Sequence, residues 1–319
     1  MRSPHSTRTV WRAAFAALAM ALALCLGHLG GAPAHAAPGD GAAEAAAAAP
    51  AAPRPIPEAA RRLGIKDTMS SFTVDFPVAP YRTTNVAETV KRIDGSVVMP
   101  GRTWSFNRTV GERTPENGFV DGIMINDGRY VKSPGGGVSA VATTLYNALF
   151  FAGVKPLEHG AHSFYIERYP EGREATVAWG TLDLRWLNDS GHPIYIQARS
   201  TDHSVTITFL GTKRFDSVRA VKGPRTHITP PAAREATGPD CEAQTPYEGF
   251  DVAVDRVLVR HGREVRRDTF KTHYTPRDSV TCVPAKESAS PTPGTTATPP
   301  APANTPATTP APSPTTPGT

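Results

Sequence analysis

One segment constrains the fold more than any other. Gly135-Gly136-Gly137 interrupts the chain, and the stretch from Val138 to Gly153 then runs apolar, with Val141, Leu145, Leu149 and Phe150 at helical spacing. A helix that is apolar over so much of its surface must be covered by other elements, so it is predicted to be the central helix and to stop at Gly153. Its cover is legible on both sides. Upstream, Val86, Val90 and Ile93 recur at i, i+4 and i+7 after a cap at Thr84 or Asn85, with Gly95 beyond, which predicts a short amphipathic helix. Ile123-Met124-Ile125 and Arg129-Tyr130-Val131 flank Asn126-Asp127-Gly128, and the Asp-Gly pair supplies the positive φ of a tight hairpin turn. Downstream, Ser163–Arg168, Ala175–Trp179, Leu182–Leu187, Ile194–Arg199 and Ser204–Leu210 are rich in β-branched and aromatic residues and separated by turn residues. They predict an antiparallel sheet, and with the helix an α+β class.

The flanks cannot contribute to that core. Arg2, Arg8 and Arg12 precede an apolar run from Ala13 to Leu26, and Ala34-His35-Ala36 follows as a small-x-small cleavage site, the anatomy of a secretory signal over residues 1–36. The run falls short of the roughly 20 residues that a spanning helix needs, so export with cleavage is expected, with signal-anchor retention as the alternative. Leu24 before Cys25 is too bulky for lipoprotein processing. Residues 37–58 are mostly Ala and Pro with hardly any large apolar side chain, and 286–319 are rich in Pro and Thr; neither can offset its ordering entropy by burial, so both are expected to be disordered. The formal charge of +5 falls to +2 once the three leader arginines are removed. So small an excess, with no basic helix, excludes nucleic acid as a partner class.

The foldable remainder divides into residues 59–213, which hold the helix and sheet, and a small all-β unit at 214–285. In the latter, Phe250, Val252, Val254, Val257 and Val259 lead to a His261-Gly262 turn and a return strand, and the period of two slips near Asp255, as at a bulge. Cys241 and Cys282 are the cysteines left after export and are expected to form a disulfide. Closing a loop of about 40 residues would remove denatured-state entropy worth roughly 4 kcal/mol.

Ser139 follows the glycines at the helix start, His162 opens the next strand, and Asp183 lies two strands on, a possible nucleophile, base and orienter. A helix N-terminus with bare glycine amides at Gly135, Gly136 and Gly137 would suit a carboxylate or a developing oxyanion. The competing reading makes Ser139 an N-cap, the glycines a close-packing device and His162 a half-buried polar residue. Arg173 could pair bidentately with a substrate carboxylate, the competing reading being a solvated turn residue or an internal ion-pair partner, and Tyr165 joins it as a candidate ligand contact. Trp104, Trp179 and Trp186 are read as core aromatics rather than a sugar groove. His159 and His162 do not share a helical face, so no metal site is expected, nor any cofactor.

These words together resemble the VanW family. Pro100-Gly101-Arg102-Thr103-Trp104-Ser105-Phe106-Asn107, Val110-Gly111-Glu112-Arg113-Thr114, the Gly135–Val138 loop with Thr143-Thr144-Leu145-Tyr146-Asn147-Ala148, His162-Ser163, Gly172-Arg173-Glu174-Ala175-Thr176-Val177 and Leu182-Asp183-Leu184-Arg185 carry the resemblance, over about Phe72 to Gly211. The β extension resembles one seen after this domain in secreted actinobacterial members. The resemblance implies a Gram-positive cell-envelope setting with peptidoglycan or its precursors as partner. The family pattern has Cys-Gln where this chain has Ser139-Ala140. A serine hydroxyl is a far weaker nucleophile than a thiolate and a helix terminus cannot ionise it, so a binding or accessory factor is expected ahead of a serine amidase or transpeptidase.

Overall fold

The computed structural model describes residues 54–126, 128–238 and 241–284. The expected leader, the tail, most of the spacer and Asp127 of the hairpin turn lie outside the described residues. Helix α1 (Glu58–Arg62) leads into β1 (Asp67–Asp75), a strand whose hydrophobic pattern is masked by hydroxyls. Those hydroxyls are used: Ser70 Oγ donates to Ala148 O at 2.6 Å, and Ser71 and Thr73 pair with Thr208 and Thr206 at 2.8 and 2.9 Å.

Helix α2 (Pro80–Ile93) starts earlier than its apolar spacing suggests, because Pro80 at its first position has the helical φ preset and needs no N–H partner. Asn85 is therefore not a cap. It is fully buried within the helix, its Nδ2 donating to Val120 O and Gly136 O, both at 2.9 Å, while Oδ1 accepts from Val120 N. After β2 (Val97–Val98), β3 (Thr103–Ser105) and α3 (Phe106–Val110), strands β4 (Asp121–Asn126) and β5 (Arg129–Pro134) form the expected hairpin, with Asn126 opposite Arg129.

Helix α4 (Ser139–Ala152) runs as its sequence predicts, ending at Gly153 in the left-handed region. All its residues except Ser139 and Phe151 are buried. It lies across β1 and β9 (Ser204–Gly211), which form with β8 (Ile194–Ser200) and β2 an antiparallel sheet in the order β1-β9-β8-β2. A second sheet has the order β3-β7-β6, with β6 at Lys155–Glu158 and β7 at Arg185–Leu187.

Between β6 and β7 the structure corrects the expectation of strands. Ser163–Arg168 and Ala175–Trp179 are irregular, touched only by bridges between Gly160 and Thr176 and between Ala178 and Leu182. Phe164, Tyr165 and Ile166 are buried in succession, which no two-faced strand with one solvated side allows. Phe164 packs on Tyr130 while Tyr165 packs on Phe250 and Tyr274, so the segment is held from opposite sides.

The C-terminal region contains β10 (Ser217–Lys222), β11 (Thr226–Thr229), β12 (Ala233–Ala236), β13 (Gly249–Arg260), β14 (Arg263–Tyr274) and β15 (Ser279–Cys282). Strand β13 is flanked by β14 on one edge and by β10 and β11 on the other. The disulfide between Cys241 and Cys282 is formed. No register shift occurs at Asp255; the shift lies between Leu258 and Val259. The broken alternation has another cause. Arg256 occupies an inward slot, 0% exposed, and donates to Val154 O at 2.9 Å and Phe150 O at 3.4 Å, next to the end of α4, and to Asp268 Oδ2 through Nη2 at 2.8 Å. A cation beside helix-terminal carbonyls satisfies acceptors the helix leaves open. The core is continuous into this region: Val254 packs with the α4 residues, and Tyr274 Oη accepts from Gly172 N at 3.0 Å. No helix among the described residues is long and apolar enough to cross a membrane.

Candidate functional site

A cavity of about 820 Å³ opens at the N-terminal end of α4 and is walled by α2, the β4–β5 hairpin, the glycine loop and the irregular 161–182 segment. The glycine loop is forced into place by its neighbours. Gly135 and Gly137 have φ of 90° and 94°, where an L side chain is strained. Gly136 is packed so closely on Gly122 that a Cβ would lie 2.3 Å from the Gly122 carbonyl carbon. Gly135 and Gly137 line the cavity, whereas the buried Gly136 does not. The Gly135 amide is used internally, donating to Val120 O at 3.2 Å.

Ser139 and His162 line the same cavity. Ser139 is not the helix N-cap; that position is Val138, which makes no side-chain capping bond. The Ser139 hydroxyl instead pairs with Thr176 Oγ1 at 3.2 Å. His162 Nδ1 is 2.8 Å from Glu174 Oε2, with the carboxylate side chain 0% exposed and the His162 side chain 6% exposed. A buried imidazole–carboxylate pair fixes the ring and its tautomer, leaving the other ring nitrogen for a ligand. Burial and the nearby Glu174 carboxylate also push the Tyr274 phenol up.

Asp183 does not take the orienting role. Its carboxylate accepts from Ser105 Oγ at 2.5 Å and from Asn107 N at 2.8 Å, on the far side of the 178–182 turn, and Glu174 stands where it was expected. Composition gives no local sign of Glu174; the Arg173-Glu174 pair in the family-like motif was the signal that could have found it. Arg173 points elsewhere too. It is 6% exposed, donates to Asn147 Oδ1 at 2.8 Å and lies over the Phe150 and Phe151 rings, so it belongs to the core around α4. Tyr165 likewise packs inward, its hydroxyl donating to Tyr169 O at 2.9 Å.

The cations that do line the cavity are Arg82, Arg113 and Arg168, with Glu112 as the acid among the lining residues. Each is braced. Arg82 donates to Tyr81 Oη at 2.8 Å, Arg113 to Asn107 Oδ1 at 2.8 Å, and the Arg168 guanidinium lies 5.1 Å from the Tyr169 ring centre. Burial lowers the Arg113 pKa to about 10, with Asp183 and Glu112 opposing the shift, so it stays charged at neutral pH. Sequence spacing missed these arginines because they come from three separate segments. Trp179 also departs from expectation: Trp104 and Trp186 are in the core, but Trp179 is 48% exposed at the cavity wall. His159 lies apart from His162's pairing, stacked 3.7 Å from the Tyr146 ring. Its Nε2 is 2.6 Å from Glu174 O, and burial lowers its pKa to about 4. Among the described residues no group of three or more His, Cys, Asp or Glu could hold a metal ion.

Fold and site together define an α+β domain with a cavity of mixed lining, carrying three arginines, at the start of a buried helix. Residues 81–210 match the family described as VanW like protein, so this segment is similar to that family. It is 36% identical over 136 residues to protein YoaR of Bacillus subtilis strain 168, covering 43% of this chain and 45% of that protein. It is 25% identical over 113 residues to the vancomycin B-type resistance protein VanW of Enterococcus faecalis strain V583, covering 33% of this chain and 40% of that one. The matches thus span less than half the length of either relative. No solved structure matches.

Proposed function

We propose that this protein is exported and acts at the cell wall as a peptidoglycan-binding or accessory factor, its cavity recognising a carboxylate or acyl group of a muropeptide. The observation that carries the reading is the convergence of Arg82, Arg113 and Arg168 on one cavity with His162, against the single acid Glu112. Guanidinium groups braced by tyrosine and asparagine partners are preorganised for carboxylate oxygens, which reduces the entropy lost on binding. The name of the enterococcal relative, a vancomycin B-type resistance protein, supports an envelope setting and a link to the glycopeptide response. Ser139 at the family's cysteine position, tied to Thr176, favours binding over turnover.

One observation favours a second reading, a serine-dependent wall amidase or transpeptidase. Ser139 and the buried His162–Glu174 pair share the cavity, with Glu174 in the part first given to Asp183. The two readings separate in a muropeptide pull-down with product analysis by mass spectrometry, using the chain without its leader beside Ser139→Ala. Equal retention of intact muropeptide by both proteins is the expected result. Cleaved or exchanged peptides from the wild type alone would overturn it in favour of the enzyme.

A further inference from the structure

We propose that Trp179 is a saccharide platform, its exposed face stacking on a pyranose ring of the glycan attached to the group the cavity holds. The proposal deepens the peptidoglycan reading and rests on it. Trp179 is 48% exposed, whereas Trp104 and Trp186 are 5% and 0% exposed. An outward tryptophan on a loose loop would mean little, but this one sits on a turn fixed from several directions. Ala178 and Leu182 exchange backbone hydrogen bonds of 2.9 and 3.0 Å around it. Asn107 Nδ2 donates to both Ala178 O and Leu182 O, at 3.2 and 2.9 Å, and Asp183 just beyond is anchored by Ser105 and Asn107 N. Arg113, a cavity cation, donates to the other side of the same Asn107 amide, so the indole and the arginine are positioned by one residue.

The chemistry of the wall selects the occupant. A pyranose ring has an apolar face of C–H groups and an edge of hydroxyls, and an amphipathic aromatic ring flanked by hydroxyl partners matches both. Thr176, Thr181, Ser163 and Tyr130 line the cavity with Trp179 and supply such partners. An acyl chain would leave these polar groups without hydrogen-bond partners once water is displaced.

The test uses the full chain without its leader and two probes, the linear tetramer of N-acetylglucosamine and a glycan-free stem peptide, each followed by calorimetry and tryptophan fluorescence. Wild type should bind both. Trp179→Ala should weaken glycan binding about tenfold or more while Trp179→Phe, which keeps a flat apolar ring, holds it within about threefold. Peptide affinity should be unchanged in either variant, which also reports that the variants are folded. Binding of peptide but not glycan by the wild type overturns the platform and leaves the peptidoglycan reading standing. Glycan binding equally strong in Trp179→Ala overturns it as well. Binding of neither probe overturns both.

Discussion

Replacing Arg256 with methionine tests whether the C-terminal strands hold the central helix electrostatically or merely cover it. Methionine keeps an unbranched apolar stem among Phe150 and Phe270, over which the guanidinium lies at 5.4 Å from each ring centre, so little volume is lost. What disappears is the hydrogen bonding. Val154 O loses its 2.9 Å donor and the Asp268 carboxylate loses its 2.8 Å partner. Breaking a buried pair from one side costs about 3–5 kcal/mol. Asp268 is 20% exposed and keeps Arg266 at 2.7 Å, which puts the expected loss at the lower end, about 3 kcal/mol. For a folded region of this size, about 2–4 °C is lost per kcal/mol, so Tm should fall by about 6–12 °C. Urea denaturation followed by tryptophan fluorescence supplies the free energy, since Trp104 and Trp186 are buried and report on the core. Adding Asp268→Asn to Arg256→Met should cost less than the sum of the two single changes, as expected of coupled partners. A loss below about 1 kcal/mol with an unchanged urea dependence would refute the reasoning, because desolvation of the guanidinium would then have cancelled its hydrogen bonds.

Two further outcomes follow from the same geometry. Gly136→Ala should destabilise the protein by about 1–3 kcal/mol or more, since its new Cβ meets Gly122 backbone atoms at 2.3 and 2.6 Å rather than a movable side chain; Gly101→Ala, with nothing within 4 Å but φ of 71°, should cost about 1 kcal/mol, and calorimetric Tm values in that order check the comparison. His159 has its pKa lowered by burial from 6.5 to about 4, so between those values the unfolded chain takes a proton that the folded chain does not. Stability present above pH 6.5 is therefore lost as pH falls toward about 4, by roughly 2–3 kcal/mol from this group. Urea midpoints for His159→Gln should show a shallower fall between pH 7 and pH 4.5 than wild type, and parallel curves would show that the ring does not drive it.

Periodicity and turn chemistry made the interior legible. Helix α4, the hairpin around Gly128, strands β8 and β9 and the disulfide all follow from features that act locally or count residues. The site was only half visible, because its pairings are long-range and its segment is irregular. His162 meets Glu174 and not Asp183 because residues 159–184 run without ladders, so strand order says nothing about which acid faces the ring. Arg173 looked like a ligand contact at a turn; in three dimensions α4 supplies Asn147 and two aromatic rings to cover it. The early start of α2 was hidden because its first turn carries polar residues at positions where the later turns carry valine and isoleucine.

The Gly122–Gly136 contact separates two properties that usually vary together in a binding site. With no side chain at either position, hairpin and loop meet backbone to backbone, while the Tyr81 ring packs close on Gly122 and Asn85 ties Gly136 O to Val120 O. The frame of the mouth is thus a laminate whose thickness is set by atoms every residue possesses. Side chains on the cavity side outside the core packing, such as Ile123 and Met124, hang from that frame without bearing its load. Their replacement alters what the mouth prefers and leaves its width unchanged, so one scaffold can be retuned among ligands by exchanging a few residues on its inner surface.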